Sequence, residues 1–297
     1  MLDLRRLRLL SELARRGTIA EVARVVGYTP SAISQSLVQL EREAGIPLLE
    51  RDGRRVRLTP AAHGLVARTD RVLAELDAAE AELAAAHGTV RGTVVIGAFP
   101  SAAAGLVVPA VADLAARHPE LSCPVAEHEP EDGIPVLRSG ELDVLVSESY
   151  EGVGTVPTGG LESHPLLSEP LMLVMPREDA RPEPVALEAL SGAAWIAGLA
   201  GTQFAAALEG ACRSAGFAPR IVHHADDARF LEKLVESGLG IGLLPALACS
   251  GSEAVRFAEV VPAPPRRHVS ALVRSGAARR PSLAAVLEAL LRQASLA

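Results

Sequence analysis

The sequence predicts an α/β protein in three parts: a small helical domain ending in a hairpin, one long helix, and a larger two-lobed domain. Three observations predict this fold class. Residues 4–44 carry helical apolar spacing with a break at Gly27, and residues 60–87 carry an unbroken seven-residue apolar repeat. From residue 89 onward, short apolar runs alternate with helical patterns. At 297 residues the chain is long enough for more than one domain.

The most informative segment is residues 18–43, which predicts two short helices joined by a tight turn. Thr18 begins the first helix with capping-box spacing, and Gly27 supplies the left-handed residue that ends it. Thr29 is suited to cap the second helix, and Pro30 fits its first position. The apolar positions predicted to face inward are Ile19, Val22, Ala23, Val26, Ile33, Leu37 and Leu40. The pattern predicts a helix-turn-helix, although a purely structural helix pair has the same spacing.

The flanking segments favour DNA binding over a structural helix pair. An amphipathic helix over residues 4–16 precedes the motif, and a strand over residues 46–51 follows it. Asp52-Gly53 is a strong hairpin turn signal, and residues 54–58 form the returning strand. This hairpin is predicted to be a wing whose basic side chains contact backbone phosphates. Those side chains are Arg51, Arg54, Arg55 and Arg57.

These residues resemble the winged DNA-binding domain of LysR-type transcriptional regulators. The match rests on Gly17-Thr18, on residues 27–34, on Leu40-Glu41, on Gly45-Ile46-Pro47-Leu48, and on Arg55-Val56-Arg57-Leu58-Thr59-Pro60. The resemblance implies a regulator that binds double-stranded promoter DNA as a dimer or tetramer and responds to a small-molecule effector. Its second helix would lie in the major groove, with Ser34 and Gln35 toward base edges. The residues predicted to contact DNA there are Thr29, Pro30, Ser31, Ser34 and Gln35.

The charge distribution agrees with this interpretation, although the net charge of −7 alone would argue against nucleic acid. Residues 1–58 hold eleven arginines and seven acids, a net of +4. The remaining residues carry a net of −11. A basic domain joined to an acidic one predicts that only the first part contacts DNA.

Composition limits the other classes. Apolar residues make up 49% of the chain and the mean hydropathy is +0.25, yet no run of eighteen apolar residues occurs, so no membrane span is predicted. The N-terminus carries Asp3 and three arginines within a helix rather than an apolar signal core, which predicts a cytoplasmic, nucleoid-associated protein. The widely spaced Cys123, Cys212 and Cys249 are predicted to be buried thiols, with a redox switch as the alternative.

Thr59-Pro60 begins a helix that is predicted to run to about His87-Gly88. Its apolar side chains alternate in steps of four and three, as in a coiled-coil seam. The seam consists of Leu65, Thr69, Val72, Leu76, Ala79, Leu83 and Ala86. We expect residues 59–88 to form a linker that dimerises the chain. The alternative is an ordinary amphipathic helix packed on its own domain.

Residues 89–297 are predicted to form two α/β lobes with mostly parallel sheets. Lobe 1 would hold about 89–166 and 267–297, and lobe 2 about 167–266. The expected strands are 93–97, 121–126, 142–147, 169–176, 194–197, 220–224, 241–244 and 269–273. The expected helices are 101–118, 132–138, 202–215, 228–237 and 281–294. The alternation resembles the effector-binding domain of the same regulators, which has a periplasmic-binding-protein-like fold.

Two helix starts are the candidate effector contacts. Ser101 and Thr202 each follow a strand, one in each lobe, and ligands of open α/β sheets bind beyond the carboxyl ends of strands. Helix N-termini favour carboxylates, so we expect a small anionic or zwitterionic metabolite. Gln203, Ser147 and Asp226 are further candidates. Both hydroxyls could instead be plain helix caps. Asp226-Asp227 could cap the next helix, or could form a wall of the cleft that favours a cationic group.

The sequence carries no motif for a cofactor, a metal or covalent catalysis. Gly238-Leu239-Gly240-Ile241-Gly242 follows a helix and enters a strand, whereas a dinucleotide fingerprint leaves a strand and opens a helix. His223 and His224 are adjacent in a strand, so their side chains point to opposite faces and cannot chelate one ion. We expect no cofactor and no enzymatic activity. A plain solute-binding module is the other alternative, and the N-terminal wing argues against it.

Overall fold

The fold was analysed in a computed structural model, which describes residues 2–52, 55–85, 90–154, 158–249, 251–262 and 264–296. The N-terminal part begins with helices α1 (Leu4–Arg16), α2 (Ile19–Val26) and α3 (Pro30–Ala44). Thr18 caps α2 by accepting from the amide of Glu21, and Gly27 ends it at φ 72°. Thr29 accepts from the amide of Ala32 at the start of α3. The predicted helix-turn-helix is therefore confirmed in its helices and their caps.

The core of this part differs from the prediction at one residue. Val22, Ala23, Ile33, Leu37 and Leu40 are buried, as the helical spacing predicts. Val26 is instead 36% exposed, because it ends α2 at the rim of the small core.

The hairpin consists of β1 (Leu49–Asp52) and β2 (Arg55–Leu58), which pair antiparallel. The first strand begins three residues later than predicted, and Ile46 is exposed. The carboxylate of Glu41 explains the delay, since its Oε1 accepts from the amides of Leu48 at 2.8 Å and Leu49 at 2.9 Å. A side chain of α3 thus satisfies the backbone where strand pairing was expected. Gly53 and Arg54 lie outside the described residues.

Helix α4 (Pro60–Ala85) follows the hairpin, and residues 86–89 lie outside the described part of the chain. Its predicted seam divides into two kinds of position. Leu65 packs against the core of the N-terminal part, and Thr69 is buried with its hydroxyl on the carbonyl of Leu65. Val72 and Leu76 are 49% and 40% exposed. Leu83 and Ala86 have no described side chains.

Lobe 1 begins with β3 (Gly92–Thr93) and β4 (Ile96–Ala98), so the strand predicted over 93–97 is divided. The interruption has a clear cause, because the carboxylate of Asp143 accepts from the amide of Val95 at 2.9 Å. A continuous helical stretch follows as α5 (Pro100–Ala102), a π-helical segment (Ala103–Val107) and α6 (Val108–Arg117). The remaining elements are β5 (Leu121–Ser122), β6 (Val125–Glu127), α7 (Pro130–Ser139) and β7 (Val144–Tyr150).

A single long strand, β8 (Leu161–Pro176), leads into lobe 2. The elements that follow are β9 (Val185–Ala186), β10 (Ala194–Ala197), α8 (Gln203–Ser214), β11 (Arg220–His224), α9 (Ala228–Glu236) and β12 (Ile241–Pro245). Strands β13 (Val255–Ala258) and β14 (Val260–Val261) complete this part. The chain returns through β15 (Arg266–Arg274) and α10 (Pro281–Ala294).

Within the described part of residues 89–297, six of the ten strand pairings are parallel, as expected, and four are antiparallel. Strands β6, β4 and β7 are parallel neighbours in lobe 1, as are β11, β10 and β12 in lobe 2. Strands β8 and β15 join these groups, and their pairings with β7, β12, β13 and each other are antiparallel. The reason is that both long strands cross between the lobes. Strand β8 pairs with β15 up to Pro170 and with β12 from Leu171 onward.

Each lobe has its own apolar core on either side of these crossing strands. In lobe 1, Leu106 and Leu114 pack with Leu283 and Leu290 of α10. In lobe 2, the largest fully buried side chain is Trp195, which lies in a cluster with Leu173 and Leu208. The described residues include no helix long and apolar enough to cross a membrane.

The helix-turn-helix domain contacts lobe 1 of the same chain. Arg16 at the end of α1 forms an ion pair with Glu141 at 2.6 Å, just after α7. Arg15 pairs with Asp70 of α4 at 3.4 Å, which ties α1 to the long helix beside this contact.

Candidate functional site

The exposed face of α3 is the first candidate site. The five DNA contacts predicted on α3 and at its start are all solvent exposed. The opposite face of α3 is buried by α1 and α2. Thr29 and Pro30 stand at the helix start, with Ser31, Ser34 and Gln35 on the first two turns. This arrangement leaves the polar side chains on a helix surface free to enter a groove. Tyr28, which the sequence analysis did not select, is an exposed aromatic ring beside the same helix start.

The hairpin arginines are only partly described. Arg57 lies on β2 and is exposed, opposite Glu50 of β1. Arg51 is paired with Val56 across the hairpin, and Arg55 is paired with Asp52. The side chains of both arginines lie outside what the structure describes. Arg54 is also outside the described residues. The hairpin follows α3 directly in the sequence.

The second candidate site is a cavity of about 530 Å³ between the two lobes. Its walls come from the carboxyl ends of β4, β6 and β7 in lobe 1 and of β10, β11 and β12 in lobe 2. This is where open α/β sheets bind ligands. The lining residues that carry the argument below are Phe99, Ser101, Glu127, Glu129, Glu131, Glu148, Tyr150, Thr202, Gln203, Phe204, Asp226, Asp227, Arg229, Cys249 and Arg267.

Ser101 lines the cavity but does not begin its helix. Pro100 is the first helical residue and Phe99 occupies the cap position, without a side-chain hydrogen bond. The Ser101 hydroxyl instead accepts from Nη1 of Arg267 at 3.1 Å. Its role as a simple cap is therefore excluded.

Thr202 lines the cavity and does cap its helix. Its Oγ1 accepts from the amide of Ala205 at 3.2 Å and donates to the carbonyl of Leu199 at 2.9 Å. Gly198 is required beside it, because a Cβ there would lie 2.9 Å from Thr202 Oγ1 and 2.8 Å from Asp226 Oδ1.

The other three candidates occupy different positions. Gln203 lines the cavity from lobe 2 and donates from Nε2 to Glu131 of lobe 1 at 3.3 Å, so it links the lobes. Asp226 lines the cavity and accepts from the amide of Leu199 at 2.8 Å, while Asp227 caps α9. Ser147 is buried in β7 and is not among the residues that line the cavity. Its neighbour Glu148 lines it instead, because successive strand residues face opposite sides.

A buried arginine forms the floor of the cavity. Arg267 is 2% exposed and lies on β15 where the chain passes between the lobes. It pairs with Glu148 at 2.9 Å and with Glu169 at 2.6 Å, and its guanidinium lies 5.0 Å from the centre of the Phe99 ring. Burial and the nearby Arg267 act in opposite directions on Glu148, and burial is larger, so the pKa of Glu148 is raised. Burial also raises the pKa of Tyr150, whose hydroxyl donates to Glu148 at 3.0 Å.

The cavity wall is acidic, which does not suit a purely anionic ligand and agrees with the cation-favouring wall considered for Asp226-Asp227. Six carboxylates line it, against Arg229 and Arg267. Partial burial, followed by repulsion from Glu148, Glu131, Asp226 and Glu127, raises the pKa of Glu129 to about 7. The surroundings of Glu129 therefore disfavour a further negative charge.

The four glutamates of the wall and Arg267 were not among the candidates predicted from the sequence. The acids at 127, 129 and 131 follow a predicted strand directly, and this run at a carboxyl strand end could have been recognised. Glu148 also follows a predicted strand directly, over 142–147, and carried the same signal. Arg267 carried none, because the strand predicted at 269–273 begins after it.

The three cysteines are free, and only Cys212 is fully buried. Burial raises the pKa of Cys212 to about 12, and burial together with nearby carboxylates raises that of Cys249 to about 12. Burial also raises the pKa of Cys123. Within the described residues, no group of histidine, cysteine and acidic side chains could hold a metal ion.

Comparison with known families decides the class. Residues 4–63 match the family described as "Bacterial regulatory helix-turn-helix protein, lysR family", and residues 87–295 match "LysR substrate binding domain". The chain belongs to the LysR family. It is a DNA-binding transcriptional regulator with an effector-binding domain, and the members of this family are regulators rather than enzymes.

Individual relatives of this LysR-family regulator extend over nearly its whole length. A probable hydrogen peroxide-inducible genes activator of Streptomyces viridosporus is 32% identical over 306 residues, covering 98% of this chain and 95% of that protein. The uncharacterised regulator YfeR of Shigella flexneri is 26% identical over 248 residues, covering 83% of this chain and 79% of YfeR.

Solved structures share the fold of this LysR-family regulator. A full-length OxyR variant from Pseudomonas aeruginosa superimposes with a TM-score of 0.77 at 21% identity, over 98% of this chain and 95% of that one. Full-length CbnR in complex with its target DNA gives a TM-score of 0.58 at 21% identity, over 99% and 100% of the two chains.

Proposed function

We propose that this regulator binds promoter DNA in the cytoplasm through the exposed face of α3 and the arginines of the hairpin. Ser34 and Gln35 would contact base edges, and Pro30 could touch a thymine methyl group. Thr29 and Ser31 would lie at the helix start near the backbone. Arg51, Arg54, Arg55 and Arg57 would hold phosphates, which position the protein without selecting sequence.

We propose residues 59–88 as the dimerising linker between the DNA-binding domain, 1–58, and the effector-binding domain, 89–297. The support is the exposure of Val72 and Leu76 on α4, since two apolar side chains one turn apart gain by burial against a second helix. The assembly would be a dimer or a tetramer. Dimers suit paired half-sites on DNA, because each copy presents one recognition helix.

We propose that the effector occupies the interlobe cavity, with Ser101, Gln203 and Asp226 among its contacts. Thr202 is a weaker contact because both functions of its hydroxyl are used locally. Ligand binding would favour one arrangement of the lobes and thereby shift promoter engagement. The lobes meet along β8 and β15, which gives any closure two crossing points to bend.

Direct thiol oxidation is a less suitable signal for this chain, although several relatives are named as hydrogen peroxide-inducible genes activators. Peroxide reacts with thiolates rather than thiols. The pKa values of about 12 keep Cys212 and Cys249 protonated near neutral pH. These thiols lack the acidity that a redox sensor needs, and the cavity remains the better candidate for the sensing site.

The single observation that carries the DNA proposal is the polar, exposed face of α3 on a helix whose other face is buried. Gln35→Ala should lose about 1–3 kcal/mol of binding free energy on its operator and relax preference at one base pair. Arg57→Ala should weaken binding to all DNA sequences alike. It should also reduce the slope of log binding constant against log salt concentration by about one unit. Mobility shifts on the DNA upstream of the coding sequence would measure both.

Arg213→Ala is the matched control, since it removes an exposed arginine from α8 in the effector-binding domain. It should bind operator like the parent protein. If Gln35→Ala and Arg57→Ala also match the parent, α3 and the hairpin are not the DNA interface.

A further inference from the structure

The charge of the interlobe cavity indicates which effector it accepts, given the proposed function of that cavity. Glu127, Glu129 and Glu131 line it from lobe 1, and Asp226 lines it from lobe 2. Among the described residues, none of these four carboxylates forms an ion pair with a basic side chain. The wall therefore carries negative charge that the protein itself does not neutralise.

The two arginines of the wall do not offset this charge. Arg267 is already engaged by Glu148 and Glu169, and both of these carboxylates are almost fully buried with it. Arg229 is exposed on the first turn of α9, as the four carboxylates are, and one cation does not balance four acids. An anionic ligand would thus meet more carboxylates than free cations, which costs electrostatic free energy in a partly desolvated cleft.

A polar atom of the wall also lacks a partner. Gln203 Nε2 donates to Glu131, which fixes the orientation of the amide, and its buried Oε1 accepts no hydrogen bond from any described residue. A buried acceptor without a donor is costly. Once the side chain turns to expose this atom, a ligand N–H would satisfy it, whereas a carboxylate could not.

The apolar part of the wall is aromatic. Phe99, Tyr150 and Phe204 line the cavity, and the rings of Tyr150 and Phe204 are 6.2 Å apart between centroids. Aromatic faces attract cations and cover short methylene chains. The cavity thus combines carboxylates from both lobes with an aromatic lining.

We propose that the effector is an aliphatic cation with at least two amino or guanidino groups, bridging Glu129 and Glu131 of lobe 1 and Asp226 of lobe 2. One charged end would lie among the acids of α7, and its N–H groups would also reach Gln203. The other end would lie at Asp226, with the methylene chain against the aromatic rings.

This assignment provides a mechanism for lobe closure. Bringing the two acidic walls together without a ligand increases repulsion between Asp226 and the acids of lobe 1. A dication removes that repulsion and adds attraction to both walls, so it binds the closed arrangement better than the open one. A differential affinity of this kind is what shifts a conformational equilibrium.

The test is calorimetric titration of the full-length protein with putrescine, spermidine and agmatine, with butanediol and succinate as neutral and anionic comparisons. We expect the amines to bind and the comparisons not to. Glu131→Gln and Asp226→Asn should each weaken amine binding by about tenfold or more, the loss expected for a charged hydrogen bond. Glu120→Gln, an exposed acid of lobe 1 outside the cavity, is the matched control and should bind like the parent.

A second readout follows from Glu129, which faces Glu127, Glu131, Glu148 and Asp226 and shares the cavity with Arg229 and Arg267. With a pKa of about 7 it is partly protonated in the free protein near neutral pH. A bound cation favours the ionised form, so binding should release a proton. The heat of binding should then depend on the buffer, and Glu129→Gln should abolish that dependence.

Three other results would contradict the proposal, and each would lead to a different conclusion about the cavity. If succinate binds and responds to the cavity variants while amines do not bind, the cavity is the effector site but its ligand is not cationic. If amines bind equally to all variants, they bind outside the cavity. If no amine binds at millimolar concentration, the cationic assignment is overturned.

Discussion

Arg267 shows how much one residue connects in this molecule. It lies between the lobes, joins Glu148 of β7 to Glu169 of β8, and donates to Ser101 at the wall of the cavity. The surrounding carboxylates and Tyr150 raise the pKa of Arg267 although burial alone would lower it. The charge is therefore retained, and it compensates two buried acids.

We expect Arg267→Met to lower the free energy of unfolding by about 3–5 kcal/mol near neutral pH, because it leaves two buried carboxylates uncompensated. Without Arg267, burial would raise the folded-state pKa of Glu148 further than it does in the intact protein. The loss of stability should be greatest at high pH, where the carboxylates are ionised. It should shrink as the pH falls toward about 4.3, the pKa of a glutamate in an unfolded chain. Denaturant unfolding at several pH values would measure it.

Arg266→Met is the control, since Arg266 is the adjacent arginine and donates to exposed Ser168. It should change stability by less than about 1 kcal/mol at every pH. An Arg267→Met deficit that is equally small, or that grows on acidification, would contradict the buried cluster.

The contacts of Arg267 could not be predicted from the sequence. Ser101 was predictable from the strand that precedes it, but its partner Arg267 is 166 positions away and no local pattern joins them. The charge of the cleft was only partly anticipated, through Asp226, because the glutamates of lobe 1 join Asp226 only in the folded chain.

At the scale of elements, the sequence pattern predicted the bounds of helices and strands correctly where no distant side chain bonds to their backbone. The strands over 194–197 and 220–224 and the helix over 281–294 have the predicted bounds. The expected strand at 93–97 failed because a distant carboxylate, Asp143, takes the amide of Val95. A side chain that takes the place of a neighbouring strand in this way cannot be recognised from the spacing of apolar residues.

The long helix supplies the prediction at this scale. Leu76→Asp would place an unpaired charge in the apolar seam, so the dimer should dissociate to monomers. Ala67→Asp adds the same charge to an exposed position of α4 outside the seam and should leave the dimer intact. Sedimentation of the full chain would compare them. If both variants remain dimeric, the interface lies elsewhere.

At the scale of the whole molecule, the division of charge and the three-part order were predictable from the sequence. The two crossings between the lobes were also expected, but the antiparallel pairing of β8 with β15 was not, because it joins segments far apart in the sequence. The contact between Arg16 of the DNA-binding domain and Glu141 of lobe 1 was also unforeseen. It puts the effector-binding domain in direct contact with α1, beside the helix-turn-helix.

Footprinting of the full-length protein on the DNA upstream of its coding sequence tests the central claim most directly. We expect protected patches on one face of the duplex, separated by whole turns of about 10–10.5 base pairs, because a dimer presents two recognition helices. Random-sequence DNA of equal length should show no such pattern. Uniform weak protection, identical on both DNAs, would contradict the account of this chain as a sequence-specific regulator.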